Sequence, residues 1–410
     1  MRWRMRNSRS SGCRACGTAS VVTVLDLGTQ PVADDLFDDA GQAAAAPRHR
    51  LALGCCQECG LVQLDASTPV LANAAHGHGS VYSGTVLQHE RAWVAELLEV
   101  SSLRDGGSVL DVSSGAGGLL RVFADAGHVV RGWERDAALA RQASAAGLPT
   151  DHDDGMDLGP GETFDLVVVN HSLSHADDLD AAVERCVGAV APTGTLAVEF
   201  HSVSGVLGGG QFDVICHAHR SYLSLGVLAG VLARHGMTIT DARSLPLHGG
   251  VVRLQARHTT PGLTPAPGAV EIMAAEATQR SDRPEAWASA AIHADRVRSR
   301  LRTFIAESRS AGHTVAAYGA PSRGATLLNF CGLRADQIPW TADRAPAKQG
   351  RFLPGVATAV IPPEELLARR PDVVVVLVWP LRSEVLAQLD DLRRAGTRFV
   401  FPLPEPEVVA

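Results

Sequence analysis

Two short cysteine pairs, Cys13-Arg-Ala-Cys16 and Cys56-Gln-Glu-Cys59, constrain this chain more than any other feature. A CxxC holds two thiolates about one turn apart, and two such pairs close a tetrahedral four-sulfur site around zinc. Disulfides would call for a secretory signal with an apolar stretch, which the first residues lack, and a dithiol redox motif has no use for a second copy. Cys55 adjoins the second pair, but Cys56 keeps the spacing. The reading is structural zinc on Cys13, Cys16, Cys56 and Cys59, in a small metal-stapled domain over residues 1–72. With four protein ligands the site is closed, so it holds shape and does no chemistry.

The 410 residues exceed what one core organises and suit two or three domains. No apolar run reaches the ~20 residues of a membrane span, so a cytoplasmic protein without membrane contact is expected. A net charge of −7, with no basic stripe past the arginine-rich first nine residues, argues against nucleic acid as a partner. The positive charge is almost all arginine, and Lys348 is the only lysine.

Ser108-Val-Leu-Asp-Val-Ser-Ser-Gly-Ala-Gly-Gly-Leu-Leu120 predicts a strand, a small-residue turn and a helix start, which brings a ligand close to the backbone. Ser113 stands where a dinucleotide fingerprint has its first glycine, and such turns also serve as plain packing. A second strand, His128–Trp133, ends in Glu134, an acid able to accept from ribose hydroxyls. Phe164-Asp-Leu-Val-Val-Val-Asn170 gives a third strand, followed by His171-Ser-Leu-Ser-His-Ala-Asp-Asp-Leu179, and Pro192-Thr-Gly-Thr-Leu-Ala-Val-Glu199 gives a fourth. This succession resembles the class I S-adenosylmethionine-dependent methyltransferases. The resemblance implies a doubly wound α/β sheet over residues 73–295, with the cofactor at the strand ends among Asp111, Ser113, Gly115, Gly117, Glu134, Asn170 and His171.

Further motifs narrow the family. Leu25-Asp-Leu-Gly-Thr-Gln-Pro31, Gln211-Phe-Asp-Val-Ile-Cys-His-Ala-His-Arg-Ser-Tyr-Leu-Ser224, Leu247-His-Gly-Gly-Val-Val-Arg253, Tyr318-Gly-Ala-Pro-Ser-Arg-Gly324 and the Lys348-Gln-Gly-Arg-Phe-Leu-Pro-Gly355 stretch resemble the sugar C-methyltransferases that act on nucleotide-linked 4-keto deoxysugars in antibiotic biosynthesis. The likeness runs over essentially the whole chain. It implies three domains, the third a Rossmann-like one over residues 296–410, and a nucleotide-linked keto-deoxysugar as acceptor in natural-product biosynthesis.

Methylation at carbon requires a base to take the ring proton beside the keto group while the enolate oxygen is stabilised. The family's base lies in an Ile-Tyr-His-Glu-His segment, which here reads Ile215-Cys216-His217-Ala218-His219. Both histidines stay, whereas tyrosine has become Cys216 and glutamate Ala218. The family's Tyr-x-Tyr is also reduced, in His78-Gly-Ser-Val-Tyr-Ser-Gly84, to Tyr82. The catalytic candidates are His219 as base, with His217 and Tyr82. His217 and His219 share a face if the segment is extended and part if it is helical, and His217 also reads as structural. His248 and Gly249 are candidates to approach the sugar, although the paired glycines equally suit a turn. In the third domain, turn amides with Arg323 are expected to hold a pyrophosphate, with Lys348 close by. Two rival functions share these motifs: the same fold methylating oxygen or nitrogen of another metabolite, and an inactive binding protein.

Overall fold

A computed structural model describes residues 12–68, 83–100, 103, 105–152 and 161–410. The first part holds strands β1 (Val21–Pro31), β2 (Arg48–Cys56) and β3 (Val62–Leu64) around a short helix α1 (Ala40–Ala44). β1 pairs antiparallel with β2, and β2 with β3.

The central part alternates strand and helix. Helix α2 (Gly84–Val100) precedes β4 (Ser108–Val112), α3 (Gly118–Asp125), β5 (Val129–Glu134), α4 (Ala137–Ala145), β6 (Thr150–His152) and β7 (Phe164–Asn170). Helix α5 (Leu179–Gly188), β8 (Val190–His201), α6 (Val203–Gly208), β9 (Ser221–Tyr222), α7 (Leu225–Arg234), β10 (Met237–Leu245), β11 (Val251–His258) and α8 (Pro267–Gln279) complete it. Seven strands form one sheet in the order β10-β11-β8-β7-β4-β5-β6. Its five central and distal strands run parallel, while β11 and β10 are antiparallel. The chain reverses direction across the sheet at β4, which opens a crevice at the carboxyl ends of β4 and β7. Near-continuous apolar runs such as Leu166–Val169 suit strands buried on both faces.

Helix starts are written locally. Asp136 caps α4 by accepting from Ala138 and Leu139 N–H, Asp178 caps α5 through Ala181, and Ser224 caps α7 through Val227. Glu276 adds its carboxylate to the Leu225 and Gly226 amides at the head of α7.

The last part begins with the long helix α9 (Ala288–Ser310), then β12 (Val315–Tyr318), α10 (Ser322–Cys331), β13 (Trp340–Ala342), β14 (Ala359–Ile361), α11 (Pro363–Arg369), β15 (Val373–Val376), α12 (Arg382–Gln388), α13 (Asp390–Arg394), β16 (Arg398–Phe401) and β17 (Glu407–Val409). Its sheet runs β14-β13-β12-β15-β16-β17, parallel except for the β17 edge.

The expected boundaries do not cut the structure cleanly. α9 runs unbroken through residue 296, because its apolar face (Val297, Leu301, Ile305) packs in one core with Leu25 and Leu27 of β1 and with Val315 and Val373. β9, from the middle of the chain, pairs with β3 and completes the N-terminal sheet. Among the described residues no helix is long and apolar enough to cross a membrane.

Gly117 heads α3 with φ 85°, and a Cβ there would run into the Leu148 side chain. Gly117→Ala is therefore expected to destabilise the protein by about 1–3 kcal/mol, read as a lower midpoint in urea with an unchanged m-value.

Candidate active site

The four cysteines come together as their spacing requires. Their Sγ atoms lie within 4.8 Å of one another, with Cys13–Cys59 at 3.4 Å and Cys16–Cys56 at 3.7 Å. The hydrogen bond with Cys59 draws the Cys13 thiol down to about 5, and Cys16 is pushed up to about 11 by burial. Four soft donors converging from two loops fit tetrahedral zinc, and Cys55, buried beside them, turns its thiol to the Asp282 carbonyl instead.

On the cofactor side, β4 ends in a turn with Ser113 at φ 64° and Gly115 at φ 57°. Glu134 closes this turn: one carboxylate oxygen takes the Gly115 N–H at 2.7 Å and the other the Asp136 N–H at 2.8 Å. Glu134 is thus a brace of the glycine loop, with spare lone pairs on both oxygens for a ligand. Asp111, buried on β4, is pushed well above the carboxylate range by burial, with Glu90 and Glu134 adding to the shift. Around the turn, Ser114 Oγ, Trp133 Nε1 and Asn170 Oδ1 are buried without partners among the described residues. Orphaned polar atoms ringing a bare backbone turn fit a polar cofactor such as S-adenosylmethionine.

The other part of the strand ends carries histidines. His171 follows β7 at φ 55° and His248 lies at φ 52°, so both, like Ser113, sit in a region that favours glycine. Such strained residues gather at functional sites. The His171 ring lies 4.9 Å from His201, and His201 stacks on His248 at 5.5 Å. His219 comes in from the turn after Val214, its ring 5.0 Å from His175 and 6.1 Å from Tyr222. Nδ1 of His219 donates to the Val214 carbonyl at 3.1 Å, and Nδ1 of His175 to the Ala218 carbonyl at 3.0 Å. A carbonyl can only accept, so in each neutral ring the lone pair sits on Nε2.

His217 and His219 part company. His217 is 1% exposed, its ring 6.0 Å from His49 of β2, and both its nitrogens lack partners among the described residues. It faces the N-terminal sheet, away from the histidines at the strand ends, because the backbone turns at residues 217–218. Tyr82 lies outside the described residues.

The third part meets the site differently from expectation. Arg323 forms an ion pair with the fully buried Asp213 at 3.2 Å, donates to Gln211 Oε1 at 3.2 Å and lies over the Trp379 ring at 4.9 Å. The turn amides expected to meet a pyrophosphate are partly spent, since Gly319 donates to Ala342 O and Ala320 to Asp343 Oδ2. Lys348, 8% exposed, donates to the Ala320 carbonyl. These contacts stabilise the turn itself, because an unpaired buried charge costs more than a paired one. Gly249 likewise has a local reason to be bare: a Cβ would collide with the Gln211 amide, which donates to the Gly249 carbonyl.

Four residues that carry no role in the sequence reading belong here. They are His175; Glu199, which binds His89, His171 and Arg253; Asp213; and Asp34, which accepts from Ser322 Oγ at 2.7 Å and lies close enough to Lys348 and His219 to be felt by both. Their partners lie up to 288 positions away, so no local signal marks them. For His175 alone a signal existed, the His-x₃-His spacing from His171.

Comparison with known proteins agrees with this layout. A zinc binding domain model matches residues 13–70, a methyltransferase domain model 74–242 and a C-methyltransferase C-terminal domain model 246–404. The C-methyltransferase NovU of Streptomyces niveus is 29% identical over 406 residues, covering 97% of this chain and 96% of that protein. Among solved structures, magnesium protoporphyrin IX methyltransferase of Synechocystis PCC 6803 with bound SAH is 19% identical, covers 42% of this chain and 83% of that one, and has a TM-score of 0.36. The PH0226 protein of Pyrococcus horikoshii OT3 is 17% identical, covering 44% and 93%, with a TM-score of 0.37.

Two expectations follow from this geometry. The purified protein should hold zinc in equimolar amount by elemental analysis, and Cys13→Ser or Cys59→Ser should lose it and loosen the N-terminal sheet, read as faster amide exchange in β1 and β2. The second concerns acid. Burial pulls His217 down to about 4 and His248 to about 3, so the unfolded chain binds these protons first. Stability present above about pH 6.5 is therefore lost as pH falls, by about 3 kcal/mol at pH 4 for His217 alone. Urea midpoints measured down that range should fall less steeply in His217→Gln.

Proposed function

Since the chain belongs to the S-adenosylmethionine-dependent C-methyltransferases built with an N-terminal zinc-binding domain, we propose that it methylates a carbon beside the keto group of a nucleotide-linked deoxysugar in natural-product biosynthesis. The cofactor supplies an electrophilic methyl group on a sulfonium. The protein's part is to generate a carbon nucleophile next to it, and the observation that carries the reading is His219. With Nδ1 tied to the Val214 carbonyl, its neutral ring keeps the lone pair at Nε2, the form a general base needs.

Several features support this assignment. Burial lowers His219 below 6.5, against the opposing hydrogen bond to Val214, so the base is neutral and ready at physiological pH. The glycine turn with Glu134 and Asn170 stands at the strand ends as the cofactor side. Arg323 and Lys348 brace the turn of the third domain, a rim for the nucleotide moiety. Structural zinc and a small-molecule acceptor complete the reading.

One observation favours the rival with a different acceptor atom. Cys216 and Ala218 pack with Ala33 and Ala325 in a small buried apolar cluster, so the positions where the family has tyrosine and glutamate offer the acceptor no polar side chain.

The deciding measurement is ring-proton exchange in deuterium oxide, followed by NMR, with nucleotide-linked 4-keto sugars. Wild type should exchange the proton beside the ketone, and His219→Ala should slow exchange by about 10²–10⁴-fold while calorimetry finds S-adenosylmethionine affinity unchanged. The acid limb of the rate should have its midpoint below pH 6.5. Absent exchange, with labelled methyl appearing on oxygen or nitrogen, would hand the function to the rival.

A further inference from the structure

Glu199 anchors an ionic cluster on the acceptor side that the base chemistry above leaves unused. It is 2% exposed on β8 and receives Arg253 Nε at 2.5 Å, His89 Nε2 at 2.8 Å and His171 Nε2 at 3.1 Å. Burial alone would raise this carboxyl, but the hydrogen bonds from His171 and His89 and the charge of Arg253 outweigh it and hold it below the usual carboxylate range. Glu199 is therefore an anion at neutral pH.

The same residue fixes His171 twice. The Glu199 carbonyl accepts the His171 backbone N–H at 2.8 Å, which secures the left-handed backbone at φ 55°, and the carboxylate takes the ring. An anionic carboxylate can only accept, so the proton on that side of the ring sits on Nε2. Nδ1 is the nitrogen left to exchange a proton. It is buried and without a partner among the described residues, beside the His201 and His248 rings at 4.9 and 6.3 Å. Strain and an unpartnered nitrogen each cost stability. Both costs fall on the residue that follows β7, at the carboxyl edge where ligands of such sheets bind.

We propose that His171, held by Glu199 through Nε2, is the acid that faces the acceptor's carbonyl oxygen while His219 takes the ring proton. The inference rests on the carbon-methylation reading. In that step the C–H bond breaks and its proton passes to Nε2 of His219. The electron pair moves into the new carbon–carbon double bond, and the carbonyl oxygen, gaining the displaced pair, takes the Nδ1 proton of His171. One proton is gained by His219 and one given up by His171, so the step balances without another reactant. Glu199 acts through His171 and is a positioning residue. His201 lies within electrostatic reach of both His171 and His219, and burial keeps it neutral, so it does not compete for the charge. The arrangement supplies from the strand ends the donor that Cys216 cannot supply from its own segment.

The charged and titratable groups around His171 among the described residues are Glu199 and His201 on β8, His89 and Glu90 on α2, Arg253 on β11 and His248 in the loop before it. The test uses a nucleoside-diphosphate-linked 4-keto-6-deoxyhexose without cofactor, ring-proton exchange read by NMR over about pH 5 to 9, and separate calorimetry of S-adenosylmethionine. His171→Asn should slow exchange about 10²-fold or more and leave cofactor affinity within about twofold. Glu199→Gln should slow exchange at saturating sugar while leaving the KM for the sugar unchanged. If that variant does not fold, the His171→Asn profile decides alone. Exchange unimpaired in His171→Asn overturns the role of His171 and leaves the carbon-methylation reading standing. Cofactor affinity lost with exchange retained returns His171 to the cofactor site and likewise overturns it. A wild type that exchanges no ring proton overturns the carbon-methylation reading and this role together.

Discussion

The buried ion pair between Asp213 and Arg323 is the constraint on which the acceptor side rests. Asp213 is fully buried, and burial pushes its carboxyl up, with Arg323 and the Trp379 indole N–H pulling it back. Removing one partner of such a pair costs about 3–5 kcal/mol, so the segment that carries Asp213 cannot drift from α10. That segment is also bonded to everything else. Thr326 of α10 donates to the Ile215 carbonyl, Leu64 of the N-terminal sheet to the Arg220 carbonyl, and Val203 of the central part to the Leu223 carbonyl. His219 lies in the middle of it. A ring held by all three parts keeps a fixed angle, which the proposed base requires.

The zinc-binding part is more than a cap on this arrangement. Cys13 and Cys56 pack in one core with Leu223, Leu225 and the central strands, so the metal site is continuous with the sheet that carries the candidate site. Just after β1, Ala33 fills the space beside Cys216 and Ala218, and Asp34 binds Ser322 at the head of α10. A metal that fixes β1 and β2 thereby fixes what seals the back of the His219 segment. The closed sulfur site does no chemistry itself, and Ala33 and Asp34 are where the N-terminal part touches the His219 segment and α10.

What was legible in the sequence was local. The cysteine spacing, the glycine turn with its following acid, the apolar strands and the His217–His219 segment are each set by neighbours a few positions apart, where period and residue type carry the signal. What was illegible depends on pairing across the chain. Arg323 is expected at a phosphate, and nothing near it in sequence announces its ion pair with Asp213, 110 positions earlier. Gly249 looks like room for a sugar until Gln211 occupies it. Glu199 reads as the polar end of a strand, and only the register of β8 with β11, which sets it opposite Arg253, reveals a buried anion. Helix α9 runs across the boundary placed at residue 296 for the same reason, because its apolar stripe serves two parts at once.

The replacement of tyrosine and glutamate at 216 and 218 can be weighed against what stands around them. Burying a polar group without a partner costs about 1–3 kcal/mol, and the apolar cluster of Ala33, Cys216, Ala218 and Ala325 leaves none there. That face is dry and packed, so it stabilises the segment and contributes no donor. Polar side chains stand instead at the strand ends. His171, His201 and His248 gather at the carboxyl ends of β7 and β8 and the loop before β11, and one of them is bound to a buried carboxylate. A chain freed from catalysis would shed strained histidines first, since each costs stability and packing gains nothing from them. Two left-handed histidines and an orphaned ring nitrogen stand at the strand edge where the proposed acid is placed.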